Sequence, residues 1–516
     1  MEKLSAFILF TILFFSIVLV HSEPVNEYYL ITIVVKAPST HSIPANYPIV
    51  VELKTLAAAL PKGEVDVFGV TKTEEDDIDW NTAAVLHGDH VIPSQIDDLD
   101  LNGFSEEDEL VFLTVKPIPA GQSNEYKVFV AKKVSKLPKV SFPIKVRVKE
   151  YGLISRIKKE SPEFMSEAYD LSNGLITATV AVKAAWMSGA IFSIVVNKTG
   201  YDIVKQSSEY MSLLWKWSRL FCPADPGWIE HNPDAMTGGG KVVFMKEGPV
   251  RGIIKVVLTA SYYNLTDVYP VFTYILYVNQ TWIYAYLDIT GKNAKPGMFL
   301  EVNLANREWG GVGKGGLYKL VIVSGAGNFS RREDVKVPVS LIKEGWYIST
   351  DPSMKKGFVF IFPTLGLDSV LWSFDDEGIH TYYTAMSFPY KSIIAVFDEN
   401  ITNNPVEYAE KVYREYFAVS PTIIVKPAEK ISSLPGELAK MKEIFELQSA
   451  VTELEKKIEN MSKQIASLRS TKEKLELTVY RTRILVAVLL AVIFVVGYVA
   501  GRGRAYRKKG VRKHEE

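Results

Sequence analysis

Cysteine is almost missing: the 516 residues hold one, Cys222, together with only 7 histidines. A lone cysteine excludes a disulfide framework and any cysteine-based zinc site. A surplus of one charge is missing too, since 59 Lys and Arg face 59 Asp and Glu. A nucleic-acid binder needs a basic excess over one face, so nucleic acid is not an expected partner. What is abundant is apolar surface, 47% hydrophobic and 12% aromatic residues, which excludes disorder for most of the chain and suffices for large cores.

The two ends say where the chain resides. Residues 6–20 read AFILFTILFFSIVLV behind Lys3, and Val20 and Ser22 supply the small residues of a cleavage site. Residues 1–22 therefore read as a signal peptide. Ile484 to Ala500 is uncharged and close to the length that crosses a hydrocarbon core of about 30 Å. Seven basic residues between Arg502 and Lys513 follow it, against Arg481 and Arg483 before it. The heavier basic cluster stays in the cytoplasm, so 484–500 is a transmembrane helix, 501–516 a cytoplasmic tail and the rest an extracellular body on the cell membrane. Sequons begin at Asn197, Asn264, Asn279, Asn328, Asn400 and Asn460, as on a glycoprotein surface. An exported chain without disulfides relies on packing, ion pairs or metal, a pattern that fits an archaeal cell surface.

Ahead of the anchor, apolar residues step by three and four from Ile444 through Leu447, Val451, Leu454, Ile458, Met461, Ile465, Leu468 and Leu475 to Val479. β-Branched residues at a and Leu or Met at d favour a parallel coiled coil over 444–479, with Lys472 as the polar a position. The expected partner is another copy of this chain, in a dimer or trimer. Residues 426–443, approached by Pro421 and holding Pro427 and Pro435, read as a linker.

Residues 24–146 alternate strand and turn, as in a β-sandwich. One turn, Asp98 to Glu109, satisfies D-x-[DN]-x-[DN]-G-x5-E. Asp98, Asp100 and Asn102 would give side-chain oxygens to calcium, Phe104 a carbonyl and Glu109 two more oxygens, with Gly103 allowing the sharp turn. Its flanks, HVIPSQI and LVFLTV, are extended, so the expectation is an EF-hand-like calcium loop between strands, with a solvated acidic hairpin as the competing reading. The stretch from His90 to Val115 resembles a segment of secreted bacterial and archaeal proteins associated with breakdown of acidic polysaccharides.

Residues 147–425 are runs of Val, Ile, Tyr, Phe and Thr such as GLITATVAV, RGIIKVVL and YPVFTYILY. No crossover helices separate them, which excludes a parallel α/β fold and requires packed antiparallel sheets. Pro405 to Ala418 is the one convincing helix of the body. The order NGL, GAIFSI, EGPVRGIIKV and long paired strands is similar to the galactose-mutarotase-like supersandwich of polysaccharide lyases. The fold expected is thus mainly β: an N-terminal β-sandwich and a large antiparallel supersandwich, then a coiled-coil stalk and one transmembrane helix.

Two stretches hold the candidate chemistry. Residues 213–236 carry Trp215, Trp217, Trp228 and His231; residues 372–384 carry Trp372, His380 and Tyr382. Flat aromatic rings suit the apolar faces of sugars, so the four tryptophans, with Arg307, are the candidate substrate-binding residues. A lyase also needs a base to take the proton α to a uronate carboxylate, a role open to His231, His380 or Tyr382. The Gly-rich run 307–316 lacks the Gly-Lys-Ser/Thr ending of a phosphate loop. Two readings stay open: a surface protein that binds and processes polysaccharide, and a non-catalytic structural or receptor-like surface protein.

Overall fold

The computed structural model describes residues 28–61, 68, 77–99, 101, 103–133, 137, 139–151, 165–184, 189, 191–202, 216–222, 225–230, 240–258, 269–292, 299–304, 320–330, 335–373, 378–383 and 388–511. Residues 1–22, read above as a signal peptide, lie outside them. The chain divides between Glu437 and Leu438 into two compact units.

The first unit is built of strands. Its opening part contains β1 (Tyr28–Lys36), β2 (Pro48–Glu52), a helix α1 (Leu53–Ala59), β3 (Ile78–His87), β4 (His90–Ile92), β5 (Ser94–Asp97), β6 (Glu109–Leu113) and β7 (Ser123–Lys132). Next come β8 (Arg147–Glu150), β9 (Met165–Ser172), β10 (Ile176–Ala184), β11 (Ile191–Val196), β12 (Tyr201–Asp202), β13 (Lys216–Cys222) and β14 (Asp225–Glu230). A run of long strands follows, β15 (Gly240–Lys246), β16 (Arg251–Leu258), β17 (Tyr269–Tyr277), β18 (Trp282–Thr290) and β19 (Phe299–Leu304). Shorter ones complete it: β20 (Leu320–Val323), β21 (Gly327–Ser330), β22 (Val335–Pro338), β23 (Trp346–Thr350), β24 (Gly357–Ile361), β25 (Leu367–Ser373), β26 (Gly378–Tyr383) and β27 (Tyr390–Phe397). After helix α2 (Pro405–Val412) and a π-helical turn (Tyr413–Phe417), β28 (Thr422–Val425) and β29 (Glu429–Ile431) lead to α3 (Gly436–Val511).

These form antiparallel sheets, as the missing crossover helices require. The centre is a nine-stranded sheet ordered β15-β16-β17-β18-β27-β24-β23-β20-β21. Its strands are apolar on both faces, and alternate residues enter two cores. Phe272, Tyr274, Leu276, Ile283, Ala285, Phe358, Phe360 and Ile394 meet the β8–β12 sheet through Leu171, Ala178, Val180 and Ile194. Ile253, Ile275, Tyr277, Tyr284, Val359, Ile361 and Ile393 meet Ile31, Ile33, Ile49, Phe112 and Val128 on the other side. Each large side chain buried this way contributes about 1.5–3 kcal/mol before the entropy of ordering it.

The core of residues 28–132 is therefore continuous with that of the central sheet. The stretch read as a linker also takes part: β29 pairs with β1, as Tyr28 with Ile431, beside β28 from the end of the preceding segment, whose Val425 pairs with Ile33. Helix α2 begins where expected, with Pro405 at its first turn and the Asn404 side chain accepting from the Glu407 amide at 3.3 Å. Helix α1 was not legible in the sequence.

The second unit consists of the helix α3 from Leu438 onward. It contains a stretch long and apolar enough to cross a membrane, with none of that window buried. Leu447, Val451, Leu454, Ile458, Met461, Ile465, Leu468, Leu475 and Val479 are all exposed in the single chain.

Candidate functional site

The calcium-like loop ends in a buried ion cluster. The turn from Asp98 connects β5 to β6, and Glu109, its twelfth residue, pairs in register with Asp97. Arg251, at the start of β16, sends Nη2 to Glu109 Oε2 at 2.5 Å and to Asp97 Oδ2 at 2.7 Å. The Arg251 Nη1 donates to the Tyr277 hydroxyl at 3.3 Å. Gln95 closes the arrangement: its Oε1 accepts from the amides of Val250 and Arg251 at 3.0 and 2.9 Å, and its Nε2 donates to Asp97 at 2.7 Å. Burial alone would lower the Arg251 pKa, but the neighbouring Tyr277, Asp97 and Glu109 outweigh it and hold the guanidinium charged.

This geometry decides which loop residues suit a hard cation. Asp98 fits, because its Oδ2 accepts from the Gly103 amide at 3.1 Å while its Oδ1 is buried without a partner. Glu109 does not fit as a two-oxygen ligand, since Oε2 is committed to Arg251. Asp108 is spent on the loop itself, accepting from the amides of Leu99 at 2.7 Å and Ser105 at 2.6 Å. Phe104 packs partly against the core, and Asp100 and Asn102 lie outside the described residues. Among the described residues no group of three or more His, Cys, Asp or Glu is placed to hold a metal.

The two aromatic stretches converge on one sheet. Its order is β14-β13-β19-β26-β25-β22, so β19 joins strands that are far apart in sequence. Lys216 is in register with Asn303, and Asn303 with His380. His380 in turn faces Leu371 across the ladder, and Trp372 is paired with Val335 and Ile379. Trp217 is paired with Val302, Tyr382 with Ser369, and Trp228 sits within β14. Trp215, His231 and Arg307 lie outside the described residues. The backbone thus brings Trp217, Trp228, Trp372, His380 and Tyr382 into a single sheet.

Five of the sequon asparagines, Asn197, Asn279, Asn328, Asn400 and Asn460, are exposed, and Asn264 lies outside the described residues. Asn460 occupies a c position of the heptad pattern, away from the a/d seam. Sequence reasoning missed the ion cluster around Arg251, whose carboxylate partners lie more than a hundred residues away along the chain.

No family model matches the chain, and no curated protein matches it. Among solved structures, an alpha-mannosidase from Enterococcus faecalis overlaps 78% of this chain at 10% identity with a TM-score of 0.43. A protein in glycosyl hydrolase family 38 from the same organism gives the same coverage, identity and TM-score. The chain spans about half the length of these solved chains, 47% and 49%. A likeness at this level says nothing about activity.

Proposed function

We propose that the chain is a membrane-anchored protein of the cell surface whose β-unit lies outside and binds polysaccharide. The observation that carries the glycan part is the meeting of the 216–230 and 367–383 strands on either side of β19. Rings for the apolar faces of sugars and polar groups to orient them are what such a sheet can offer. Support for the anchor is the exposed apolar helix with its basic C-terminal end. In a lyase reading, His380 or His231 takes the proton α to a uronate carboxylate, Tyr382 assists, and Arg307 with the tryptophans holds the sugar. The exposed seam supports pairing with a second copy, which would place two β-units side by side and raise avidity for a repetitive polymer. Calcium at Asp98 and its loop neighbours remains part of the proposal as a stabiliser of the turn.

The non-catalytic surface reading has one observation in its favour. Arg251, a cation that could have stabilised an enolate, is buried in a saturated ion cluster. The deciding experiment incubates the full chain in detergent with a panel of uronate polymers and neutral polymers. Absorbance of unsaturated products reads cleavage, and retardation in affinity gels reads binding. Retardation without new absorbance supports binding alone; neither signal leaves the structural or receptor-like reading.

A further inference from the structure

Four strands of the central sheet carry an unexpected polar row. Lys255 on β16 is in register with Thr273 on β17, Thr273 with Tyr286 on β18, and Tyr286 with Lys391 on β27. Residues in register share a face, and two positions along, the row Ile253, Ile275, Tyr284 and Ile393 is buried in the core beneath residues 28–132. In the polar row Lys255 is exposed, and Thr273, Tyr286 and Lys391 are half-buried. In this row the apolar layer is interrupted by two cations and a hydroxyl, while Tyr286 still packs against the edge of the core and Phe244, in register with Lys255, is buried in it.

Lys391 is the unusual member. Its Nζ lies 5.5 Å from the ring centre of Tyr284 and 5.4 Å from that of Phe417. Neither Lys391 nor Lys255 has a carboxylate or hydrogen-bond acceptor among the described residues. Burial holds the Lys391 amine down at about 8. The two rings offset only part of the cost of burying the ammonium, which leaves the amine open to a counter-anion. The nearby carboxylates are engaged elsewhere: Asp97 and Glu109 both pair with Arg251 in the core, and Asp288, two positions along β18, accepts from the Ile289 amide at 2.8 Å.

We infer that Lys255, Thr273, Tyr286 and Lys391 form a subsite for an acidic saccharide, with a uronate carboxylate on Lys391, sugar hydroxyls toward Thr273 and the Tyr286 hydroxyl, and a further carboxylate toward Lys255. The inference rests on the polysaccharide reading and names its chemical class, on a sheet separate from the one that holds His380. Neighbouring strands stand about 4.8 Å apart, so the two lysines are separated by roughly 14 Å along the row, a span for an oligosaccharide segment and not for a single small anion.

The test compares polygalacturonate with its methyl ester, the same chain without charge, on the full protein in detergent. The acid form is expected to bind at least about tenfold more tightly, and Lys391→Gln to remove at least about tenfold of that affinity. Lys255→Gln is expected to weaken it less, and neither variant to change binding of neutral polymers. Equal affinity for acid and ester, or unchanged affinity in Lys391→Gln, overturns the subsite; retention of any polymer in that case leaves the broader reading standing. A second measurement needs no variant: acetylation of Lys391, read by peptide mass spectrometry, is slowed by trigalacturonate and not by its methyl ester. Equal acetylation rates overturn the subsite even where no polymer is retained at all, an outcome in which the broader reading falls as well.

Discussion

Nη2 of Arg251 stands 2.7 Å from Oδ2 of Asp97, and the two side chains are only 2% and 0% exposed. This pair joins the β5–β6 hairpin, which the calcium-like turn closes, to the first residue of β16. Removing the arginine strands the buried Asp97 carboxylate, so Arg251→Met is expected to cost about 3 kcal/mol or more, read as a fall in the thermal unfolding midpoint. Replacing both with apolar residues of similar volume should recover much of the loss, and a double variant no better than the single one would contradict this account.

Gly248 is required by the same cluster. A Cβ at that position would stand 2.1 Å from Oε1 of Gln95, the oxygen that accepts from Val250 and Arg251. Gly248→Ala should cost about 1–3 kcal/mol, and pairing it with Gln95→Ala should cost less than the sum of the two changes. Additive costs would show that the close approach is not what constrains the glycine.

Lys391 predicts a pH dependence of stability. Its amine titrates near 8 in the folded chain, against an ordinary value of 10.5, because of burial. Between these values the unfolded chain holds a proton that the folded chain lacks, so stability climbs with pH across this window and the penalty is complete below it. Lys391→Met should flatten the climb and stabilise the protein at pH 7 by about 1–3 kcal/mol. Unfolding midpoints from pH 7 to 11, compared between the two proteins, check it; parallel profiles would refute it.

Calcium should raise the unfolding midpoint through Asp98, and the double change Asp98→Ala with Asp100→Ala should abolish the rise. An identical melting curve in calcium and in chelator removes the metal from the account. Glu109→Gln offers a contrast: it should lower the midpoint whether or not calcium is present, since Glu109 Oε2 is paired with Arg251.

The seam of α3 supplies the last prediction. Ile458 and Ile465 are exposed a positions, 63% and 48% accessible in the single chain. Ile458→Lys with Ile465→Lys should convert a chemically crosslinkable oligomer into a monomer without altering unfolding of the β-unit. Undiminished crosslinking would show that the seam is not the contact.

Strand identity was largely legible because alternation and β-branched runs are local signals. YPVFTYILY became β17, and RGIIKVVL became β16. What such runs do not reveal is the partner on each face. A segment apolar on both sides, such as WIYAYLDI, announces two contacts without naming either, so residues 28–132 read as a separate sandwich although Tyr284 and Ile361 lie in the same core as Ile49 and Phe112. Helix α1 was hidden because LKTLAAA is seven residues long and Glu52 makes no side-chain cap. The calcium motif was read from twelve adjacent residues, whereas the group that occupies Glu109 comes from β16. The meeting of His380 with Asn303 likewise depends on strand order, which one-dimensional spacing does not contain.

The pairing of β1 with β29 has a mechanical consequence. Helix α3 begins a few residues after Ile431, and Ile431 lies opposite Tyr28, the first described residue. Tension applied along α3 would reach the body through the three-pair ladder of β29 and then the four-pair ladder of β28, both on the same strand. Those seven pairs are the first joint to feel a pull on the helix, and because Ile423 and Val425 of β28 also pack against the core, the load passes from them into it.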